Sequence, residues 1–258
     1  MYSANGVPHR RWIIRLVFFG GLLVAWELVG RSGLWPEYLF PPFSKVLAAI
    51  GHGFSDKSYP IGIGSSLWRL VEGYLIALVI GLFVGMAMAE VQWLKDTVGL
   101  LVMGLQALPS ICWLPLAILW FGLNERAILF VVVMGAVMSI AQSTEDGIRN
   151  TSTVYIKAAR NLGAKGLRIY SAVIFPAALP SIVTGMKMGW AFAWRSLMAG
   201  ELLYTLPGLG HLLNMGRELN DMSQVLAVII VIVTIGLITD KLVFGAVEKR
   251  VRARWGLR

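Results

Sequence analysis

Lys187, Arg195 and Glu201 interrupt a run that is otherwise apolar or small from Pro176 to Leu203, and Trp190 and Trp194 are spaced among them. An ionised side chain at membrane depth is costly and therefore faces a partner, a cavity or a water-filled route. The chemistry open to this set is electrostatic rather than covalent: a cationic lining that recognises an anion, with the two tryptophans shaping the path. A plainer reading pairs Lys187 within a helix bundle and lets Arg195 reach outward with its stem laid over Trp. Glu201 is the acid nearest to Arg195 in sequence, but six residues turn an α-helix by about 600°, which puts the two on roughly opposite faces. They pair only if the helix breaks first, which Gly200 permits.

A second set lies just upstream, in "KAARNLGAKGLRIYSAVIFPAALP", residues 157–180. Ala158, Ala159, Leu162 and Gly163 are spaced to share one face of a short helix. Three of these four are small, so another surface can approach the backbone, and Ala164 extends the small-residue run. Lys157, Arg160, Lys165 and Arg168 remain for water, lipid headgroups or the acidic rim of a partner. On charge alone the stretch reads as a basic loop that only fixes topology.

Residues for bond-making chemistry are sparse. His9, His52 and His211 are scattered, with no HExxH and no metal-ligand spacing. Cys112 is the single cysteine and sits in an apolar run, where it is expected to be a small packing residue. There is no G-x-x-x-x-G-K-[ST] loop to cradle a nucleotide. Neither a catalytic centre, a metal site nor a cofactor of this chain is expected.

The elements that must position these groups are membrane helices. Hydrophobic residues make up 57% of the 258 and charged ones 14%, with a mean hydropathy of +0.71, which is far from the balance of a soluble domain. Six runs are long enough to cross a bilayer: about 12–30, 66–89, 98–122, 126–143, 177–199 and 224–246. Gly122 to Arg126 joins the central two as a tight hairpin. The first run has the basic start of a signal peptide but carries Trp26-Glu27 where a small-x-small cleavage site would stand, so an uncleaved span is expected. After Pro41-Pro42, the segment 34–54 suits a helix in the outer interface, anchored by Trp35, Tyr38, Phe40 and Phe43. Glu27 and Glu72 read as hydrogen-bond partners within the bundle.

The net charge of +9 would point to nucleic acid in a soluble chain. Here the cations sort by side instead. With both termini in the cytoplasm, 15 of the 23 Lys and Arg fall on the inner side, including the 149–168 loop and the tail to Arg258. Six fall outside (Arg31, Lys45, Lys57, Arg69, Arg126 and Arg217), and Lys187 and Arg195 lie within the fifth run. That asymmetry sets the orientation. The expected architecture is all-α, one transmembrane domain over 1–258 with six helices and a cytoplasmic loop at about 144–176, in contact with membrane lipid and not with nucleic acid.

The order of residues in the basic loop then resembles the EAA loop of binding-protein-dependent ABC importer permeases: E-A-A, three residues, Gly, nine residues, I-x-L-P. Ala158-Ala159 stand at the right distance from Gly163, and Val173-x-Phe175-Pro176 takes the place of I-x-L-P, while Lys157 replaces the family Glu. "WELVGRSGLWPEYLFPPFSKV", "SLWRLVEGYLIALVIGLFVGMAMA", "LPSICWLPLAILWFGLNERA", "GMKMGWAFAWRSLMAGELL" and "PGLGHLL" resemble the sulfonate/taurine/nitrate branch over nearly the whole chain. The resemblance implies a type I permease fold in a bacterial-type inner membrane, working as a pair of copies. Two cytoplasmic ATPase subunits, holding ATP and Mg, would engage Lys157 to Arg160 and Leu162 to Ala164, and an extracytoplasmic binding protein would deliver a small anion such as a sulfonate, taurine, nitrate or bicarbonate. The alternative is a six-span secondary transporter acting alone, although no internal repeat of the kind common in such proteins is visible.

Overall fold

The computed structural model describes residues 8–254, and among these the chain is helical with no strand. In chain order the helices are α1 (Pro8–Arg31), α2 (Phe43–Ser55), α3 (Ser58–Glu90), α4 (Gln92–Leu94), α5 (Leu100–Gln106), α6 (Leu114–Phe121), α7 (Glu125–Arg149), α8 (Thr153–Asn161), α9 (Leu167–Ile169), α10 (Phe175–Glu201), α11 (Leu209–Glu218) and α12 (Met222–Arg254). π-Helical turns at Lys95–Gly99 and Tyr170–Ile174 join α4 to α5 and α9 to α10. Five helical stretches are long and apolar enough to cross a membrane: Trp12–Arg31, Ser58–Glu90, Glu125–Arg149, Leu167–Glu201 and Met222–Val251. A sixth crossing exists if Gln92–Gln106 and Ser110–Phe121 count as one span bent by 105°.

The helices overrun the hydropathic runs at their ends. At 33 residues, α3 is about 50 Å long, well beyond the hydrocarbon thickness. Apolarity marks the bilayer, whereas helix ends are set by caps and turns outside it. The expected span 98–122 is not one helix. It breaks between Gln106 and Ser110, where Pro109 offers no N–H and restricts Leu108. The helix of the fifth span begins at Leu167, upstream of Pro176 and Pro180. The π turn at Tyr170–Ile174 precedes Pro176, and Pro180 lies inside α10. Cys112 is exposed in the 3₁₀ turn Ser110–Trp113 rather than packed.

The chain divides into two compact units. One comprises residues 1–60 with 212–231. Here Pro42 starts α2 with extended backbone, and Val46 is buried. Trp26 donates its indole N–H to the Pro41 carbonyl (3.1 Å) and packs on Phe40 and Phe43. Glu27 accepts from the Ser44 amide and hydroxyl, both at 2.9 Å, and pairs with Arg31. Trp35 and Tyr38 stay exposed, and Lys45 pairs with Glu37. The Asp56 carboxyl is held below the usual carboxylate range by the Ser58 amide that donates to it. Arg258 lies outside the described residues.

The other unit comprises residues 61–211 with 232–258. Its centre is α7, whose buried side chains include Ile128, Val131, Val132 and Ile140. Asn124 caps α7 by accepting from the Arg126 amide (2.9 Å), and Gly122 supplies the positive φ of +73° that the tight turn requires. Small residues let two helices approach α7 closely, as membrane packing favours. On α3 they recur every fourth residue at Gly73, Ala77, Gly81 and Gly85. A Cβ on Gly81 would stand 2.8 Å from Ile140 and 3.0 Å from the Val137 carbonyl. On α7, Gly135, Ser139, Ser143 and Gly147 repeat the spacing and face Ser181, Gly185 and Ser196 of α10. A Cβ on Gly147 would lie 2.8 Å from Ser181 Cβ, and one on Gly189 would lie 2.8 Å from Ile140.

Candidate functional site

The basic segment forms a capped helix between two long ones. Ser152 begins α8, its hydroxyl accepting from the Val154 amide. At the other end the Gly163 amide donates to the Arg160 carbonyl and the Ala164 amide to Ala159, both at 3.0 Å. This reciprocal pair closes a helix with a left-handed residue, and Gly163 has φ +84°. Gly163 is therefore needed to reverse the chain; a Cβ there would meet nothing within 4 Å. The anticipated face of Ala158, Ala159, Leu162 and Gly163 splits in two. Ala159 is buried, whereas Ala158 and Leu162 turn outward. Leu162 and Leu167 are 89% and 88% exposed, and Val154 and Tyr155 at the start of α8 are also exposed. Lys157, Arg160, Lys165 and Arg168 are exposed too. Bare leucines thus stand amid cations on a segment too short and polar to cross a bilayer.

The ionisable residues of α10 have separate fates. Lys187 pairs with Glu248 (3.1 Å) and Asp240 (3.8 Å) on α12, so its charge is answered within the helices. Trp190 is a core residue, edge-on to Tyr74 at 5.0 Å and next to Phe244. Trp194 is half-buried over Gly236. Neither tryptophan lines the cavity that Arg195 occupies. Glu201 does not bind Arg195, because α10 continues unbroken to Glu201.

Glu201 sits instead in a buried network. Its carboxylate, 1% exposed, accepts from the Ser66 hydroxyl (2.7 Å), Arg69 Nη1 (2.9 Å) and the Gly210 amide (3.0 Å). Arg69 also donates to Glu125 Oε1 and the Pro207 carbonyl, both at 2.8 Å. The Ser66 hydroxyl accepts in turn from the Leu209 amide (2.9 Å). Gly208 and Gly210 let the chain wrap this carboxylate, since a Cβ on Gly208 would fall 2.6 Å from it. Arg69 is thus a buried residue of α3 and not a cation of an outer loop; its spacing to Glu201 in sequence offered no sign of the pair. Glu72, expected as a bundle partner, is exposed.

Arg195 opens onto a cavity of about 310 Å3 at the bend between α5 and Ser110. Gln106, Ser110, Trp113, Met138 and Phe192 share its wall. The guanidinium carbon lies 5.7 Å from the Phe192 ring centroid, within cation–π range. Gln106 Oε1 is buried without a hydrogen-bond partner, a state that costs about 1–3 kcal/mol. The 3₁₀ turn Ser110–Trp113 starts at this wall, and within it the Cys112 amide donates to the Pro109 carbonyl (2.9 Å). Of the residues that the sequence singled out for an anion, Arg195 alone lines this cavity; Gln106 and Ser110 line it too, and the only sequence signal beside them is the Leu108-Pro109 break. Below, Lys95 and Arg149 converge on Glu145 at 2.8 and 3.4 Å, and Arg149 also donates to Gln92. In the unit of residues 1–60 and 212–231, a polar cavity of about 540 Å3 is lined by Lys45, His52, Asp56, Tyr59, Asp221 and Gln224 among others.

The chain is similar to known proteins in both sequence and fold. Residues 77–253 match the family model of the binding-protein-dependent transport system inner membrane component. The taurine transport system permease protein TauC of Escherichia coli is 30% identical over 223 residues, spanning 85% of this chain and 81% of that one. The bicarbonate transport system permease protein CmpB of Synechococcus elongatus is 27% identical over 238 residues, 86% and 84% of the two chains. A chain of the MetNI methionine ABC transporter in an inward-facing conformation shares the fold, with a TM-score of 0.65 at 20% identity over 75% of this chain and 96% of that one.

Proposed function

The chain belongs to the binding-protein-dependent transport system inner membrane components, and from that premise we propose that it is the permease subunit of an ABC importer for a small anion. Residues 1–258 act as one permease domain with six spans, the bent pair counting as one. Both termini lie in the cytoplasm, on the side to which the Lys and Arg sort. Two copies of the chain enclose the route in an inner membrane. Two cytoplasmic ATPase subunits bring the ATP and Mg, so this chain carries no cofactor. An extracytoplasmic binding protein delivers the solute. TauC and CmpB are named for taurine and bicarbonate, two small solutes bearing an anionic group, and an exposed arginine in the membrane cavity favours that class here.

The observation that carries this reading is the surface of α8 and its flanks, where Leu162 and Leu167 are bare among four cations. Leu162→Asp keeps both caps of α8, so the chain should insert and fold. It should lose co-purification with the ATPase subunits and at least 10-fold of uptake, since burying a lone carboxylate in a protein groove is strongly unfavourable. Wild-type ATPase retention with wild-type uptake would refute the docking role. The pairing of copies is checked by the mass of the purified complex: two identical permease chains per two ATPase chains are expected, and one copy beside a different permease would exclude it.

A further inference from the structure

The cavity of about 540 Å3 in the unit of residues 1–60 and 212–231 has an acceptor-rich wall that its own donors do not satisfy. Asp56 Oδ1 accepts from the Ser58 amide (2.8 Å), and Asp221 Oδ1 accepts from the Gln224 amide (3.1 Å). The second oxygen of each carboxylate makes no hydrogen bond or ion pair among the described residues. Gln224 donates its side-chain amide to the Leu212 carbonyl (3.3 Å), which leaves Oε1 as a further acceptor. Tyr59 lines the same cavity and is 2% exposed. Gly53 makes room for it, since a Cβ there would fall 2.6 Å from the carbon that bears the hydroxyl. That hydroxyl bonds to no described residue and is not sealed from solvent.

The nearby cations do not answer these groups. Lys45 pairs with Glu37, and His52, one turn before Asp56, forms no ion pair with it among the described residues. Lys57 follows Asp56 but is not part of the wall. The guest that fits is positive and rich in donors, as a guanidinium is, with N–H groups on all sides and no acceptor. A metal ion fits less well, because no three His, Cys, Asp or Glu converge as ligands among the described residues. The rim favours a guanidinium carried by a protein. Phe54 is 49% exposed and stands edge-on to Tyr59 at 5.6 Å, and an aromatic beside a polar socket is typical of a protein interface.

We propose that this cavity is the socket in which the extracytoplasmic binding protein seats an arginine side chain. Asp56 and Asp221 take the guanidinium, and the Tyr59 hydroxyl and Gln224 Oε1 supply further contacts to it. One long apolar helix, α1 or α12, separates each half of the socket from a terminus, so both halves lie on the side opposite the termini. The inference rests on the importer reading for that side and that partner.

The full chain in lipid nanodiscs is titrated calorimetrically with capped glycyl-arginyl-glycine and with its citrulline counterpart, equal in shape but uncharged. The arginine peptide should bind about 10-fold more tightly at low salt. The double variant Asp56→Asn, Asp221→Asn keeps both backbone-capping oxygens, so it should melt like the wild-type chain while losing that preference. Tyr59→Phe keeps the ring over Gly53 and should weaken the arginine peptide about 5-fold. Equal binding of the two peptides, or a preference that survives the double variant, would overturn the proposal. The chain is then assembled with its ATPase subunits, and the half-saturating concentration of the binding protein is read from ATP hydrolysis. The double variant should raise it about 10-fold and flatten its salt dependence, and free agmatine should compete. An unshifted value in the double variant would overturn the docking role. Agmatine that binds without competing would assign the cavity to a free amine and likewise overturn it. A wild-type assembly that responds to no binding protein would instead overturn the importer reading, and this proposal with it.

Discussion

Arg69→Ala should be the most damaging single substitution in the chain. It removes the only basic side chain bonded to Glu201 among the described residues, and leaves that buried carboxylate with the Ser66 hydroxyl and the Gly210 amide. Breaking a buried pair from one side costs about 3–5 kcal/mol, a large part of the whole stability of a typical domain. Detergent-extracted Arg69→Ala should therefore aggregate or melt at least 10 °C below the wild-type chain. Arg69→Lys should recover only part of the loss, because one ammonium cannot reach Glu201, Glu125 and the Pro207 carbonyl in the fork geometry of a guanidinium. The double variant Arg69→Met, Glu201→Gln should be more stable than Arg69→Ala, as no buried charge remains. A melting curve for Arg69→Ala that overlays the wild-type one would dismiss this account.

Gly185→Leu should be nearly as severe for a different reason. Its side chain would have to occupy the space held by Ser143 and the Ser139 carbonyl, the latter 3.1 Å from where the first carbon would stand. Backbone cannot yield as a flexible side chain does, so α7 and α10 must separate and forfeit contacts along their length. Overpacking of this kind costs about 1–3 kcal/mol or more. The expected result is a chain that inserts but yields little folded protein, with uptake lost in proportion. Gly20→Leu on α1, where nothing lies within 4 Å, is the matched control and should leave the yield unchanged. Equal yields of the two variants would show that the small stripe is not an interface.

Much of this was legible beforehand. Five of the expected spans were readable because a bilayer demands long apolar runs, whereas 98–122 proved to be broken at Pro109; the short helix before the fifth span carries Ala158-Ala159 and Gly163 at their fixed spacing. The spacing does not put all four residues on one face: Gly163 takes a left-handed backbone and Ala159 faces inward, facts that depend on the C-terminal cap rather than on a helical wheel. The stripes at Gly73 to Gly85 and Gly135 to Gly147 were visible at every fourth position. Which helix each stripe met was not, since small residues carry no label for their partner. The hardest part was electrostatic. Arg69 and Glu201 lie 132 residues apart, and the acid closest to Arg195 in sequence turned out to serve another residue. Lys187 likewise found its acids on α12, beyond the reach of local spacing.

Helix α8 is slung between α7 and α10, two helices packed closely through Gly147, Gly185 and Gly189 so that the pair forms one rod. With 25 residues in α7, the rod is about 37 Å long. At one end it carries α8; at the other, Glu125 at the start of α7 and Glu201 at the end of α10 are held by the same guanidinium of Arg69. The stripes of Gly and Ser leave no slack for the two helices to slide independently. Any displacement of the pair at its α8 end would therefore load one clamp at the far end, the Arg69 guanidinium that holds Glu125 and Glu201 together.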